Sequence, residues 1–110
     1  MNSLDELVKL LSKLPGIGGK GASRIAYHLL QSDANYNKLL GDKIAHIQEK
    51  IFTCSICGSF TESDPCPICT DPKRDPKQLC IVEQPQDVIT ITASGAYNGL
   101  FHVLGGAINP

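Results

Sequence analysis

Apolar residues recur every three or four positions over residues 4–51, which is the spacing of one face of a helix. In the first such segment the apolar positions are Leu4, Leu7, Val8, Leu11 and Leu14. Ser3 and Glu6 match the capping box that begins many helices, and Pro15 followed by Gly16 predicts where this helix ends. The pattern therefore predicts a short amphipathic helix that begins at Ser3 and leads into a turn.

Two more helices are predicted before the pattern stops. The second begins at about Lys20, and its apolar positions are Ala22, Ile25, Ala26, Leu29 and Leu30. Residues 31–37 are polar and predict a turn. The third helix covers roughly residues 36–52, and its apolar positions are Tyr36, Leu40, Ile44, Ile47 and Ile51. The first half of the chain is therefore expected to be a small helical bundle.

The pattern changes at Thr53. Residues 53–76 show no hydrophobic periodicity and contain four cysteines and four prolines, so this segment is too poor in large apolar side chains to form its own core. Residues 79–82 (LCIV) then predict a buried strand, and residues 100–104 predict another. Residues 88–92 also favour a strand by intrinsic propensity. The succession predicts an α+β protein made of several small modules.

Composition and charge narrow the class of protein only slightly. The chain of 110 residues has 42% hydrophobic and 19% charged residues, which is ordinary for a water-soluble protein. No apolar run approaches the roughly 20 residues that cross a bilayer, and Asp5 and Glu6 lie where a secretory signal carries positive charge. We therefore expect a cytoplasmic protein without a membrane partner. The net charge of -1 neither requires nor excludes nucleic acid, although residues 1–30 are locally basic.

Four cysteines form two C-x-x-C pairs, and these cysteines are Cys54, Cys57, Cys66 and Cys69. Two such pairs supply four thiolates to a tetrahedral metal ion, and a reducing compartment favours metal binding over disulfides. Four protein ligands leave no open coordination position, so we expect one structural Zn²⁺ per chain in place of the missing core. Iron is the alternative, because C-P-x-C pairs also occur in iron sites. Cys80 lies in the apolar strand and is expected to be a packing residue.

The stretch LPGIGGKGAS at residues 14–23 contains the pattern G-x-G-x-x-G at Gly16, Gly18 and Gly21. A dinucleotide site requires this pattern directly after a strand, whereas here it follows a capped helix, so we reject that interpretation. A helix, the sequence LPGIG and a second helix instead predict a helix-hairpin-helix. Gly16 and Gly18 allow the tight turn, and Ile17 can fill the space between the two helices.

The predicted hairpin leaves backbone N–H groups free at the start of its second helix. These groups and the helix dipole favour an anion such as a DNA phosphate, and Lys20 and Arg24 lie one turn apart beside them. The residues predicted to bind DNA are Gly16, Ile17, Gly18, Lys20 and Arg24. Such contacts address the backbone and not the bases, so binding is expected to be sequence-independent and salt-sensitive. The alternative is a plain helix–helix turn, and His28 is interpreted as an ordinary surface histidine.

Four motifs in this order resemble the RecR family of bacterial recombination mediators. They are LPGIG-x-K-x-A-x-R at residues 14–24, the four-cysteine pattern at 54–69, LCIVEQPQD at 79–87 and FHVLGGAINP at 101–110. The resemblance implies a helix-hairpin-helix region at residues 1–53, a four-cysteine zinc finger at 54–77 and the N-terminal part of an α/β Toprim domain at 78–110. Because members of the family are longer, it also implies a truncated Toprim domain. The Toprim pattern favours a helix, against propensity, at residues 88–92.

The resemblance also implies a function. Members of the family bind DNA without acting as enzymes, and with RecO, and in some pathways RecF, they help to load RecA onto single-stranded DNA. They form dimers and ring-shaped tetramers. Glu83 matches a glutamate of the acidic Toprim cluster, which in this family is associated with RecO binding. The expected location is the cytoplasm, in association with the nucleoid.

Two other functions remain open. A Toprim enzyme that uses Mg²⁺ at Glu83 would need more carboxylates than the single one that the motifs place there. A zinc-stapled protein-interaction module would keep the four cysteines but would not bind DNA. Nucleic-acid retention at low salt distinguishes this module from the mediator.

Overall fold

The computed structural model describes residues 1–105, and residues 106–110 of the FHVLGGAINP motif lie outside the described part. The elements are α1 (Ser3–Leu11), α2 (Gly19–Gln31), α3 (Ala34–Lys50), β1 (Phe52–Thr53), β2 (Phe60–Thr61), β3 (Asp75–Val82), α4 (Pro85–Ala93) and β4 (Gly99–Val103). The chain divides into two compact units, one before and one after the boundary between Ala45 and His46. The α+β content agrees with the prediction. Among the described helices, none is both long and apolar enough to cross a membrane.

The first unit is built on the packing of α1 against α2. Ala22 and Ala26 on α2 are fully buried, because their small side chains let the two helices approach closely. Along α3, by contrast, no side chain is buried, and Ile44 is 66% exposed. The first two helices therefore form the compact part of this unit.

The N-terminal cap of α1 lies one residue earlier than the sequence predicts. The backbone N–H of Asp5 donates to Oδ1 of Asn2 at 2.9 Å, and the N–H of Asn2 donates to Oδ2 of Asp5 at 3.3 Å. Ser3 and Glu6 have the same spacing, but Ser3 is already the first residue of the helix and cannot act as its cap. The predicted Ser3–Glu6 box is therefore wrong, and Asn2 and Asp5 form the capping box.

The turn between α2 and α3 is shorter than residues 31–37. α2 continues to Gln31 and α3 begins at Ala34. The carboxylate of Asp33 accepts the N–H of Asn35 at 2.9 Å, which satisfies a free N–H group at the start of α3. The side-chain amide of Asn37 donates to the carbonyl of Leu29 at 2.8 Å and ties the two helices together.

In the second unit, residues 52–61 form a small antiparallel hairpin that the sequence analysis missed. β1 pairs with β2, so that Phe52 lies opposite Thr61 and Thr53 lies opposite Phe60. Strands of two residues show no alternation of polar and apolar positions, which is why no pattern predicts them. The first cysteine pair, Cys54 and Cys57, lies in the loop between β1 and β2.

The rest of the second unit is a β–α–β arrangement around a small apolar core. β3 and β4 are parallel, with Cys80 opposite Phe101 and Val82 opposite Val103. The core residues are Val82, Val88 and Phe101. Val88 comes from α4, so the helix expected from the family resemblance at residues 88–92 is confirmed and the strand expected from propensity is wrong. Cys80 is half-buried beside this core, as the packing role predicts.

Candidate metal centre and candidate nucleic-acid interface

The two cysteine pairs meet at one point of the second unit. The Sγ atoms of Cys54, Cys57, Cys66 and Cys69 all lie within 4.8 Å of one another. Cys54 and Cys69 are separated by 3.9 Å between sulfurs, and Cys57 and Cys66 by 3.6 Å. Four sulfurs at about 2.3 Å from a central ion would lie about 3.8 Å apart in a tetrahedron. The donor set therefore has the chemistry and the spacing of a tetrathiolate metal site.

Backbone N–H groups point at the sulfurs and prepare them for a cation. Cys66 donates its N–H to Sγ of Cys54 at 3.3 Å, Ser59 donates to Cys57 at 3.4 Å, and Cys69 donates to Cys66 at 3.5 Å. Hydrogen bonds to the charged form of a thiol favour that form. The turns around the cysteines thus stabilise the thiolates that a metal requires.

Burial and these backbone donors shift the pKa values of the thiols in opposite directions. Burial raises the pKa of Cys57 to about 11 and raises the pKa of Cys69 as well. Burial also acts to raise the pKa of Cys54, but the backbone donors of Cys57, Cys66 and Ile56 outweigh it and lower that pKa to about 7. Cys57 and Cys69 are therefore harder to deprotonate than Cys54, and the binding of a cation releases protons from them.

The predicted hairpin lies between α1 and α2. α1 ends at Leu11, the N–H of Ile17 donates to the carbonyl of Leu14 at 3.2 Å, and Gly16 has the left-handed φ of +80°. Gly18 is the residue before α2 and has an extended backbone with no side-chain hydrogen bond to the helix end. The turn follows the predicted geometry, with Ile17 half-buried at its centre.

The beginning of α2 has the electrostatics of an anion site. The first N–H groups of a helix have no partner within the helix, and the first turn of α2 contains no acidic residue. Lys20 and Arg24 are both exposed one turn apart on this helix. Backbone donors and two exposed cationic side chains thus lie in the first two turns of the same helix.

A shallow cleft of about 490 Å³ adjoins the hairpin, and its lining residues are Gly16, Ile17, Gly21, Arg24, Ile25 and His28. His28 is exposed, as predicted, but it shares this cleft with Arg24. Arg24 and His28 are four residues apart in one helix, so the sequence could have predicted that their side chains lie on the same face. A Cβ atom added at Gly21 would lie 3.7 Å from Cγ2 of Ile17, which is an ordinary contact, so the cleft does not require a glycine there.

Glu83 is exposed at the carboxyl end of β3. Its carbonyl accepts the N–H of Gly105 at 3.0 Å, and the carbonyl of Val82 accepts the N–H of Leu104 at 2.9 Å, so the ends of β3 and β4 lie together. Carboxyl ends of parallel strands are the usual place for ligand sites in open α/β sheets. Within residues 1–105, Glu83 is not part of any group of three or more metal-binding side chains.

Models of three protein families match successive parts of the chain. The RecR helix-hairpin-helix model matches residues 4–47, the model of the RecR four-cysteine zinc finger domain matches residues 51–71, and the Toprim domain model matches residues 77–110. The zinc-finger match covers the four cysteines, and the first match covers the hairpin.

Curated proteins named "Recombination protein RecR" are similar to the chain along its whole length. The protein of Treponema denticola is 49% identical over 110 residues, which is 100% of this chain and 56% of that protein. The proteins of Bifidobacterium adolescentis and Acidothermus cellulolyticus are 45% and 46% identical over 98% and 97% of this chain, and over 54% of their own lengths. The chain spans about half the length of the curated relatives it matches.

Proposed function

The chain belongs to the RecR family of recombination proteins, and on that premise we propose that it is a non-enzymatic, DNA-binding mediator of recombinational repair. In this role it acts with RecO, and in some pathways with RecF, to help load RecA onto single-stranded DNA. It works in the cytoplasm at the nucleoid, as a dimer or a tetramer. Its contribution is to bind DNA and to help assemble RecA on it.

The observation that carries this proposal is the cationic start of α2. The N–H groups after Gly18, together with the exposed side chains of Lys20 and Arg24, offer donors and positive charge to a phosphate. Gly16 and Ile17 shape the turn that presents them. No base edge is needed for these contacts, so binding is independent of sequence and decreases steeply with salt.

Zn²⁺ is the metal that we assign to the four-cysteine site, one ion per chain and structural in role. Four soft thiolates at tetrahedral spacing fit it, and they leave no coordination position for substrate or water. The bound ion neutralises the thiolates and crosslinks the two cysteine pairs. Glu83, exposed at the end of β3, is the residue that we assign to contact with RecO.

The test is DNA affinity as a function of salt, measured by fluorescence anisotropy on single-stranded DNA with the variant Lys20→Glu/Arg24→Glu. We expect affinity to decrease at least tenfold at low salt, and the slope of log K against log salt to decrease by about 0.7 for each lost phosphate contact. The control is Lys38→Glu/Lys43→Glu, which makes the same change of charge on exposed residues of α3. Equal losses in the two variants would mean that net charge, and not the hairpin, determines binding.

A further inference from the structure

A polar contact joins the two cysteine pairs outside the ring of sulfurs. Oδ1 of Asp64 accepts the backbone N–H of Ser55 at 2.9 Å and the hydroxyl of Ser55 at 2.9 Å. Ser55 lies inside the first pair, directly after Cys54, and Asp64 lies two residues before Cys66. A single carboxylate oxygen thus connects the two halves of the candidate metal centre. We call this contact the Ser55–Asp64 clasp.

The clasp runs beside a second link between the same halves. The N–H of Cys66 donates to Sγ of Cys54 at 3.3 Å, so a side-chain contact and a backbone contact both hold Cys66 close to Cys54. Between them the chain leaves through Gly58, forms β2 and returns to Asp64. The length of that loop would allow the two pairs to separate if these links were absent.

We propose that Asp64 is a positioning residue of the metal centre, which through Ser55 holds the two cysteine pairs at tetrahedral spacing and slows the release of the ion. The inference rests on the proposed tetrathiolate zinc site. Release requires the sulfurs of one pair to move away from those of the other, and that movement breaks the clasp. Removal of a group that hydrogen-bonds a metal ligand commonly lowers metal affinity by about 10- to 100-fold, and because Asp64 acts through Ser55, the neighbour of Cys54, we expect an effect at the lower end.

The geometry also predicts which substitutions preserve the effect. Asparagine keeps an oxygen at the same place, so Asp64→Asn retains the acceptor for Ser55, whereas Asp64→Ala removes it. Ser55→Ala removes the hydroxyl but keeps the backbone N–H, so half of the clasp remains. Asp71 offers a matched control in the same module, because its Oδ1 accepts the N–H of Lys73 at 2.9 Å without joining the two pairs.

The experiment measures the rate of metal release from the full chain into excess chelator, with Zn²⁺ followed by a metal-sensitive dye and Co²⁺ followed by its absorption spectrum. We expect Asp64→Ala to release either ion about tenfold faster than wild type, with an unchanged tetrathiolate Co²⁺ spectrum. Ser55→Ala should be intermediate, Asp64→Asn should recover most of the loss, and Asp71→Ala should behave as wild type. The unchanged spectrum distinguishes positioning from loss of a ligand.

Each contrary result has a defined meaning. A wild-type rate in Asp64→Ala, or equal acceleration in Asp71→Ala, would overturn the role of the clasp while leaving the zinc site intact. A changed Co²⁺ spectrum in both Asp64 variants would show that the ligand set itself had been disturbed, and would also overturn it. If wild type bound neither ion, the proposed zinc site would fail together with this inference.

Discussion

At the residue scale, two glycines with left-handed backbones serve different purposes. Gly58 has a φ of +84°, and a Cβ atom added there would lie 3.0 Å from Cβ of Val103. The N–H of Val103 also donates to the carbonyl of Cys57 at 2.8 Å, so the first cysteine turn is pressed against β4. Gly16 has a φ of +80° but has nothing within 4 Å of that position. Gly58 is therefore required by both conformation and space, and Gly16 by conformation alone.

The prediction at the residue scale concerns Glu83. Replacing Glu83 by Gln removes a negative charge from an exposed position at the end of β3 without changing its size. If that charge faces a cationic surface of RecO, affinity for immobilised RecO should decrease about fivefold, mainly through slower association.

Glu62→Gln is the control for Glu83, because it removes an exposed carboxylate elsewhere in the same unit. Binding curves for wild type and the two variants, measured by surface plasmon resonance, check the prediction. If Glu83→Gln bound RecO as tightly as wild type, the assignment of this residue to RecO would be withdrawn.

At the scale of elements, capping and packing can give a segment a helical structure although its intrinsic propensity favours a strand. Residues 88–92 are Val, Ile, Thr, Ile and Thr, which favour strands, yet they lie within α4. Pro85 occupies the start of that helix, and the N–H of Gln84 donates to Oδ2 of Asp87 at 3.0 Å. Val88 and Ile91 then face the core from one side of the helix. Capping and packing together outweigh intrinsic propensity, which is worth only tenths of a kcal/mol per residue.

The cap of α1 gives the prediction at this scale. Asn2→Ala should lower the free energy of unfolding of the helical unit by about 1 kcal/mol, because it removes the acceptor for the N–H of Asp5. Ser3→Ala should change it by less than about 0.5 kcal/mol, because Ser3 is not the cap. Urea denaturation followed by circular dichroism at a helical wavelength measures both. A larger effect from Ser3 would support the box that the sequence predicts.

At the scale of the whole molecule, the metal centre and the β3–β4 core share a side chain. Ile68, between the two cysteines of the second pair, packs against the buried cysteines and also against the core of Val82, Val88 and Phe101. These buried clusters are small for a structure of this size, so we expect the proposed metal to contribute a large part of their stability. We therefore expect loss of metal at the candidate centre to loosen the core of β3, α4 and β4 as well.

Removal of the metal tests this connection. Elemental analysis should give one zinc per purified chain, and chelation should abolish hydrogen-exchange protection at residues 52–71 and reduce it at Val82 and Phe101. Residues 19–31 of α2 serve as the internal reference and should keep their protection, since the contacts of Ile68 lie within the second unit. Restored protection after zinc is added back is the control. Stoichiometric iron, or full protection without metal, would contradict the assignment.

The sequence alone was enough to predict α1 and α2, the hairpin between them and the four cysteines of the candidate metal centre. All of these depend on residues close together along the chain, through helical periodicity, turn-forming glycines and the spacing of C-x-x-C pairs. Other features depend on contacts between residues that are distant along the chain. Others depend on which of two similar local motifs forms. The structure makes Asn2 and not Ser3 the cap, forms the β1–β2 hairpin, and brings Ser55 to Asp64. The two capping boxes have the same spacing, so spacing alone could not choose between them, and the other two contacts are stabilised only when their partners meet.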